Sequence, residues 1–453
     1  MTISDETRRL AEHLADAATA SLPEAVGAKT RLHVLDTIAA IVSGSAMPAG
    51  VAGRTYAAGY ASGGGSPVFG SEILTNPVDA ALANGMSAHA DETDDSHAPS
   101  LSHPGCAVIP AVLAVAPGRV VSGAHLLQAV AAGYDAGTRI GMAIGHPDSP
   151  LEGSSISSHA HVGVYSAATA AAVVLRLDGD RMRSVLSFAA QSAAGTTSWA
   201  RDRHHVEKAF VFGGMPASNG VRAAQLVESG CLGVDDVFAG QPNVLDAYAD
   251  VPDRRLLADE LGERFEIMRT NIKKFAVGSP SQAPVQAALD LMAERAVTAD
   301  DLERLIITLP HDLAHVVDGR DMPNINVQYL VAGTVVDGRF SFAMAHDGAR
   351  LADGPVRDLM ARTELVYDKS VTGVRQAAVE FLHRDGERRR AFVASVRGTA
   401  QDPMSQAEVV EKANDLLEPV VGATRSTRII ETVLGLGAGT GTDDLLAALA
   451  AVN

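Results

Sequence analysis

Between Asn84 and Cys106 the chain reads NGMSAHADETDDSHAPSLSHPGC, with four acids (Asp91, Glu92, Asp94, Asp95) and three histidines (His89, His97, His103) inside fifteen positions. Apolar, Ala-rich runs flank it on both sides. Burying that many ionisable groups costs several kcal/mol unless they are paired, solvated or used. Three chemistries fit. One is proton transfer, with His103 as acid or base and carboxylates tuning it. The second is magnesium binding by the Asp-rich DETDD run at a helix end. The third is a solvated loop whose acids cap helices.

Three further segments carry candidate side chains. Ser157-Ser-His-Ala-His161 places two histidines just before an apolar helix, where they can face one pocket or cap the helix. Arg201 to Pro216 carries Lys208 where a polar loop meets a Gly-Gly segment; such a lysine either snorkels or binds an anion. Asn271 to Pro284 carries Lys273 and Lys274 before a Gly-Ser-Pro turn that opens a helix. Backbone N–H groups at a helix start, with a lysine, make a carboxylate or phosphate cradle; an exposed hinge is the alternative.

Composition narrows the classes. The chain has 453 residues, 47% hydrophobic but only 4% aromatic, with one tryptophan and a net charge of −17. Ala, Leu, Val and Gly as fillers favour close-packed helices. Without a Lys/Arg-rich block, nucleic acid and anionic membranes are poor partners. Two cysteines exclude a disulfide framework and a self-sufficient iron–sulfur site. The first residues show no basic region followed by an apolar one, and no run of about 18 apolar residues follows, so a cytoplasmic chain is expected. P-loop, H-E-x-x-H, C-x-x-C and G-x-S-x-G motifs are missing, and GLGAGTGT fails the dinucleotide fingerprint. The expectation is an enzyme with no cofactor and no metal.

These residues need positioning elements. Up to about residue 265 the pattern is helical: a helix begins at Ser4, Arg31–Ser43 is deeply apolar, and Pro77–His89 is capped by Asn76. Near Asn271 the character changes. Leu305–Leu309, Glu364–Tyr367 and Arg390–Val396 read as strands, with helices at Pro284–Ala296, Asn326–Val336 and Gly354–Met360 between them. Helix returns after Pro403. The expected fold is mainly α: an all-helical domain formed by both chain ends (1–270, with 403–453 returning to it) plus a smaller inserted α+β lid domain (271–402).

In this order the segments resemble the MmgE/PrpD family, which includes 2-methylcitrate dehydratases, cis-aconitate decarboxylases and an iminodisuccinate epimerase. The resemblance rests on RLHVLDTIAAIVSG, NGMSAHADETDDSHAPSLSHPG, HVEKAFVFGGMPASNGVRAAQLVESG, NIKKFAVGSPSQAP and NVQYLVAGTVVDG. It implies catalytic roles for His103, Glu92, Asp94, Lys208, Lys273 and Tyr329. It implies substrate-binding positions at Ser96, which replaces the usual Thr, and at His159, His161, Lys274 and Gln282. Ser157 stands where the family's second histidine usually lies, with His159 and His161 two and four positions on, and Gln282 replaces a frequent His. The family pattern further implies a homodimer, a site in the cleft between the domains and a small di- or tricarboxylic acid as substrate. A lyase of the dehydratase kind is ranked first, then an epimerase or decarboxylase. An inactive binding protein on the same scaffold is the reading of another class, and a magnesium-dependent helical synthase stands last.

Overall fold

The computed structural model describes residues 3–61, 63–145, 155–373 and 375–450. The chain is mainly helical, and it divides into two compact units. The first comprises Met1–Ala90, Asp94–Asn271 and Ser405–Asn453; the second comprises Asp91–Thr93 and Ile272–Met404.

In the first unit, local sequence explains where helices start. Helix α1 (Asp5–Asp16) begins on Ser4, whose hydroxyl accepts the Thr7 N–H, and it buries Leu10 and Leu14. This is N-capping of a donor that the helix itself leaves unpaired. Helix α2 (Glu24–Gly44) is almost wholly buried from His33 onward. Helix α3 (Pro48–Gly59) follows, and α4 (Pro77–Ala88) is capped by Asn76 accepting from Asp79. All residues of α5 (Gly105–Val115) are buried, as are nearly all of α6 (Gly123–Ile144) and α7 (Ser158–Val174). Asp178 caps α8 (Gly179–Ser192), and α9 (Met215–Glu228) closes this part. With Ala the commonest buried residue, the helix axes can approach closely, and dispersion contacts replace bulk.

The second unit holds a four-stranded sheet. Its strands are β1 (Leu302–Pro310), β2 (Thr363–Asp368), β3 (Ala377–His383) and β4 (Arg388–Val393), in the order β2-β1-β3-β4. The β1–β2 pair is parallel and the other two pairs are antiparallel. Helices α10 (Gln282–Glu294) and α11 (Val327–Asp337) share a core with the sheet, including Leu305, Ile307, Val379 and Phe381.

The returning chain gives the first unit α12 (Gln406–Val421), α13 (Ala423–Leu434) and α14 (Thr442–Leu449). Ser405 and Glu408 form a reciprocal capping box at the start of α12. Lys412 Nζ lies 2.6 Å from Asp36 Oδ1 of α2, with both side chains buried. Among the described residues no single helix is long and apolar enough to cross a membrane.

Three elements differ from the sequence expectation. Helix α3 was not anticipated, because its three glycines resemble a loop. The last strand runs Arg388–Val393 rather than Arg390–Val396, and its partner β3 had no signal of its own. β3 is buried at five of seven positions, so the alternation that marks a half-exposed strand is absent.

Candidate active site

The acid–histidine segment is not a solvated loop. Every residue from Asp91 to His97 is buried, and His103 is only 9% exposed. Groups of this kind persist in an interior only with partners, and each of the two adjacent aspartates of the first unit has its own set.

Asp94 serves the histidines. His89, the residue that ends α4, has Nδ1 2.9 Å from Asp94 Oδ2 and 3.0 Å from Oδ1. His103 Nδ1 lies 3.2 Å from the same Oδ2. One carboxylate therefore stands against two imidazoles. Asp95 points the opposite way. Its Oδ2 takes His33 Nδ1 at 2.7 Å and the Tyr134 hydroxyl at 2.5 Å, while Oδ1 accepts the Gly105 N–H at 3.0 Å. Asp95 thus ties α2 and α6 to the first turn of α5, where a negative charge meets the positive end of the helix dipole. His103 sits two residues before that tie. Burial, with help from the Lys29 charge, pulls His33 down to about 4 against the upward pull of Asp95. Burial and then the Asp95 charge push the Tyr134 hydroxyl well above its usual range.

Around His103 the first unit assembles an aromatic wall. Val206–Ala209 runs through a π-helical turn (Phe210–Gly214) into α9. A π turn carries an extra residue per turn and is frequent at functional sites. Here it presents Phe212, whose ring stacks on His159 at 3.9 Å and on His89 at 4.2 Å, with His103 at 5.4 Å. His103 and His159 are 5.2 Å apart by ring centroid. His205 stacks beside His89 at 5.3 Å, and its Nε2 lies 2.9 Å from the His89 carbonyl oxygen. The Lys208 ammonium stands 5.1 Å from the Phe212 ring and 5.3 Å from that of Trp199. The π turn is seated by glycines: a Cβ on Gly213 would lie 2.1 Å from the Gly85 carbonyl oxygen, so α4 and the turn meet backbone to backbone.

The first unit therefore brings together Asp94, His103, His159 and Lys208 of the expected set. His161 is elsewhere. Both histidines lie within α7, not before it, and two residues along a helix is about 200°, so they face opposite sides. His161 packs edge-on against Tyr248 at 4.3 Å. Ser96 is buried in a two-residue ladder against Asn271. The next residue, His97, lies 3.2 Å from Glu266 through Nε2. Although burial opposes it, the hydrogen bond from His97 and the neighbouring arginines hold Glu266 down to about 2.

In the second unit, Lys273 is fully buried and donates to the Glu92 carbonyl at 2.7 Å, with the Glu92 carboxylate 3.5 Å away. Glu92 has φ +60°, a left-handed conformation that a non-glycine residue adopts at a cost. Lys274 turns instead to Gln286 at 3.1 Å. Two other expected residues are occupied by structure. Gln282 bonds the Phe275 N–H and the Phe275 and Val277 carbonyls, bracing the loop after Lys273. Tyr329 lies in the apolar core; its hydroxyl donates to the Met344 carbonyl at 2.6 Å, and burial pushes its pKa up to about 12.

His205, Trp199 and Phe212 were not singled out by sequence reasoning as site residues, and His89 was named in the acid–histidine cluster without a role of its own. The two histidines stood in plain view inside the quoted motifs. The two rings carried no local signal, because their contacts join segments up to about 120 positions apart.

The comparisons with known proteins agree along the chain. The model for the MmgE/PrpD N-terminal domain matches residues 8–256, and that for the MmgE/PrpD C-terminal domain matches 275–436. A cis-aconitate decarboxylase-like protein of Aspergillus oryzae is 25% identical over 99% of both chains. The human cis-aconitate decarboxylase is 25% identical over 86% of this chain and 83% of its own. That of Aspergillus terreus is 28% identical over 43% of this chain and 40% of its own.

Proposed function

The chain belongs to the MmgE/PrpD family, and on that premise we propose that it is a lyase acting on a small di- or tricarboxylic acid by proton transfer at a carbon next to a carboxylate. The observation that carries this reading is the pairing of His103 with Asp94 beside His159 and the Lys208 ammonium. Asp94 holds Nδ1 of His103, so Nε2 is the atom that exchanges a proton with substrate. Lys208 attracts a substrate carboxylate and lowers the cost of negative charge on the adjoining carbon. Within the second unit, Lys273 and Glu92 form a buried charged pair.

Decarboxylation is the first reading, because relatives aligned over most of the chain carry that name. One carboxylate leaves as carbon dioxide by heterolysis of its carbon–carbon bond. Its electron pair spreads into the conjugated double bond and neighbouring carboxylate, and His103 delivers a proton to the carbon that receives the pair. Dehydration is the second reading, supported by the motif resemblance: His103 removes the proton next to the carboxylate and hydroxide departs, taking up a proton to leave as water. Both pass through the same carbanion-like centre.

Proton NMR of the purified protein with cis-aconitate, citrate and 2-methylcitrate in deuterium oxide distinguishes them. A product lacking one carboxylate, with deuterium at carbon, establishes decarboxylation. Loss of a hydroxyl establishes dehydration, and exchange without cleavage moves the reading to an epimerase. His103→Ala is expected to lower turnover at least roughly 100-fold, the low end for a general acid–base group; near-normal turnover would sink the assignment.

A further inference from the structure

Trp199, the chain's only tryptophan, sits in a 3-10 turn (Thr197–Arg201) beside the histidine cluster. Its ring stands edge-to-face with Phe212 at 4.8 Å and with His159 at 5.9 Å, and the Lys208 ammonium lies over its face at 5.3 Å. Its Nε1 is buried, and among the described residues nothing accepts its proton. An indole N–H can only donate. A buried donor without an acceptor is rare enough in proteins to need a reason. Lys208, its charged neighbour, is also a donor only, and a cation on the ring face favours an anion nearby.

We propose that Trp199 is a specificity-determining residue: its indole N–H donates to a carboxylate oxygen of the acid that Lys208 attracts. This rests on the carboxylate reading above and extends it. A second lysine would add charge and bind any anion more tightly. A neutral N–H fixed by two ring contacts adds position instead, and it rejects acids lacking an oxygen there, because such an acid leaves the buried donor unpaired.

The single tryptophan makes the test direct. Emission of the wild-type protein is titrated with cis-aconitate, citrate and 2-methylcitrate, and KM and kcat are measured on whichever is turned over. The expected result is a saturable emission change with its midpoint near KM. Trp199→Phe, which keeps a ring and loses the N–H, should raise KM roughly tenfold or more, as for one hydrogen bond to a charged acceptor. The loss should fall on KM more than kcat, and Trp199→His, which restores a ring N–H, should recover part of it. A residue that only supports the fold would lower the melting temperature without this split. An acid that is turned over with no emission change, or with KM unchanged in Trp199→Phe, overturns the proposal and leaves the carboxylate reading standing. If Trp199→Phe does not fold, the wild-type titration decides alone. If the wild type neither binds nor turns over any of the three acids, the reading itself falls and the role of Trp199 falls with it.

Discussion

Two neighbouring aspartates divide the work at the smallest scale. Asp94 stands against His89 and His103, while Asp95 fastens α2, α6 and the start of α5. The sequence displays both residues but not the division, since that depends on which way each side chain leaves a non-helical backbone. It also shows His159 and His161 as equals, and only their place inside α7 separates them. The burial of His33 has a measurable signature. His33 titrates at about 4 in the folded protein and near 6.5 when unfolded, so its folded value is depressed. Its contribution is complete above pH 6.5 and is lost as pH falls toward 4, by on the order of 3 kcal/mol in total. Urea midpoints measured from pH 7.5 to 4.5 should fall more steeply for the wild type than for His33→Gln; parallel curves would refute the assignment.

Elements were legible where their boundary chemistry is local. Ser4 and Asn76 announce α1 and α4 by hydroxyl and amide capping, and helix Gly354–Met360 appears where the pattern placed it. Elements specified by distant partners were not. The strand β3 depends on β1 and β4 for its identity, and the π turn depends on α4. The Gly-Gly pair was visible in the sequence, but its reason was not: Gly213 must let the Gly85 carbonyl come against it. Gly213→Ala would either push α4 away or unwind the π turn. It should cost at least the ~1–3 kcal/mol typical of overpacking and displace Phe212 from His89 and His159. Thermal melting checks the first effect. An activity loss exceeding that explained by unfolding checks the second; wild-type melting and turnover together would contradict this account.

At the scale of the whole molecule, apolar periodicity made the mainly helical character readable. The pairing that joins the chain's early and late parts was not, because Asp36 and Lys412 are 376 positions apart. Burial pushes Asp36 up to about 6 even though Lys412 pulls it down. Removing one member of such a pair strands the other. Lys412→Met should therefore destabilise the first unit by about 3 kcal/mol at pH 7, and Asp36→Asn added to it should recover part of that loss. Denaturant unfolding of the two variants tests this; a single-variant cost below about 0.5 kcal/mol would count against a closing role for the pair.

That pairing also bears on the order in which the protein is made. Chains emerge from the ribosome N-terminus first, and compact units fold as they emerge. All of the second unit is synthesised before α12 exists, so α2 waits through those residues with its buried carboxylate uncompensated and its α12-facing side bare. The first half of this chain is thus a long-lived unfinished surface during translation. Its yield in a cell will depend on the speed of elongation and on chaperones that cover α2 until its partner helix arrives.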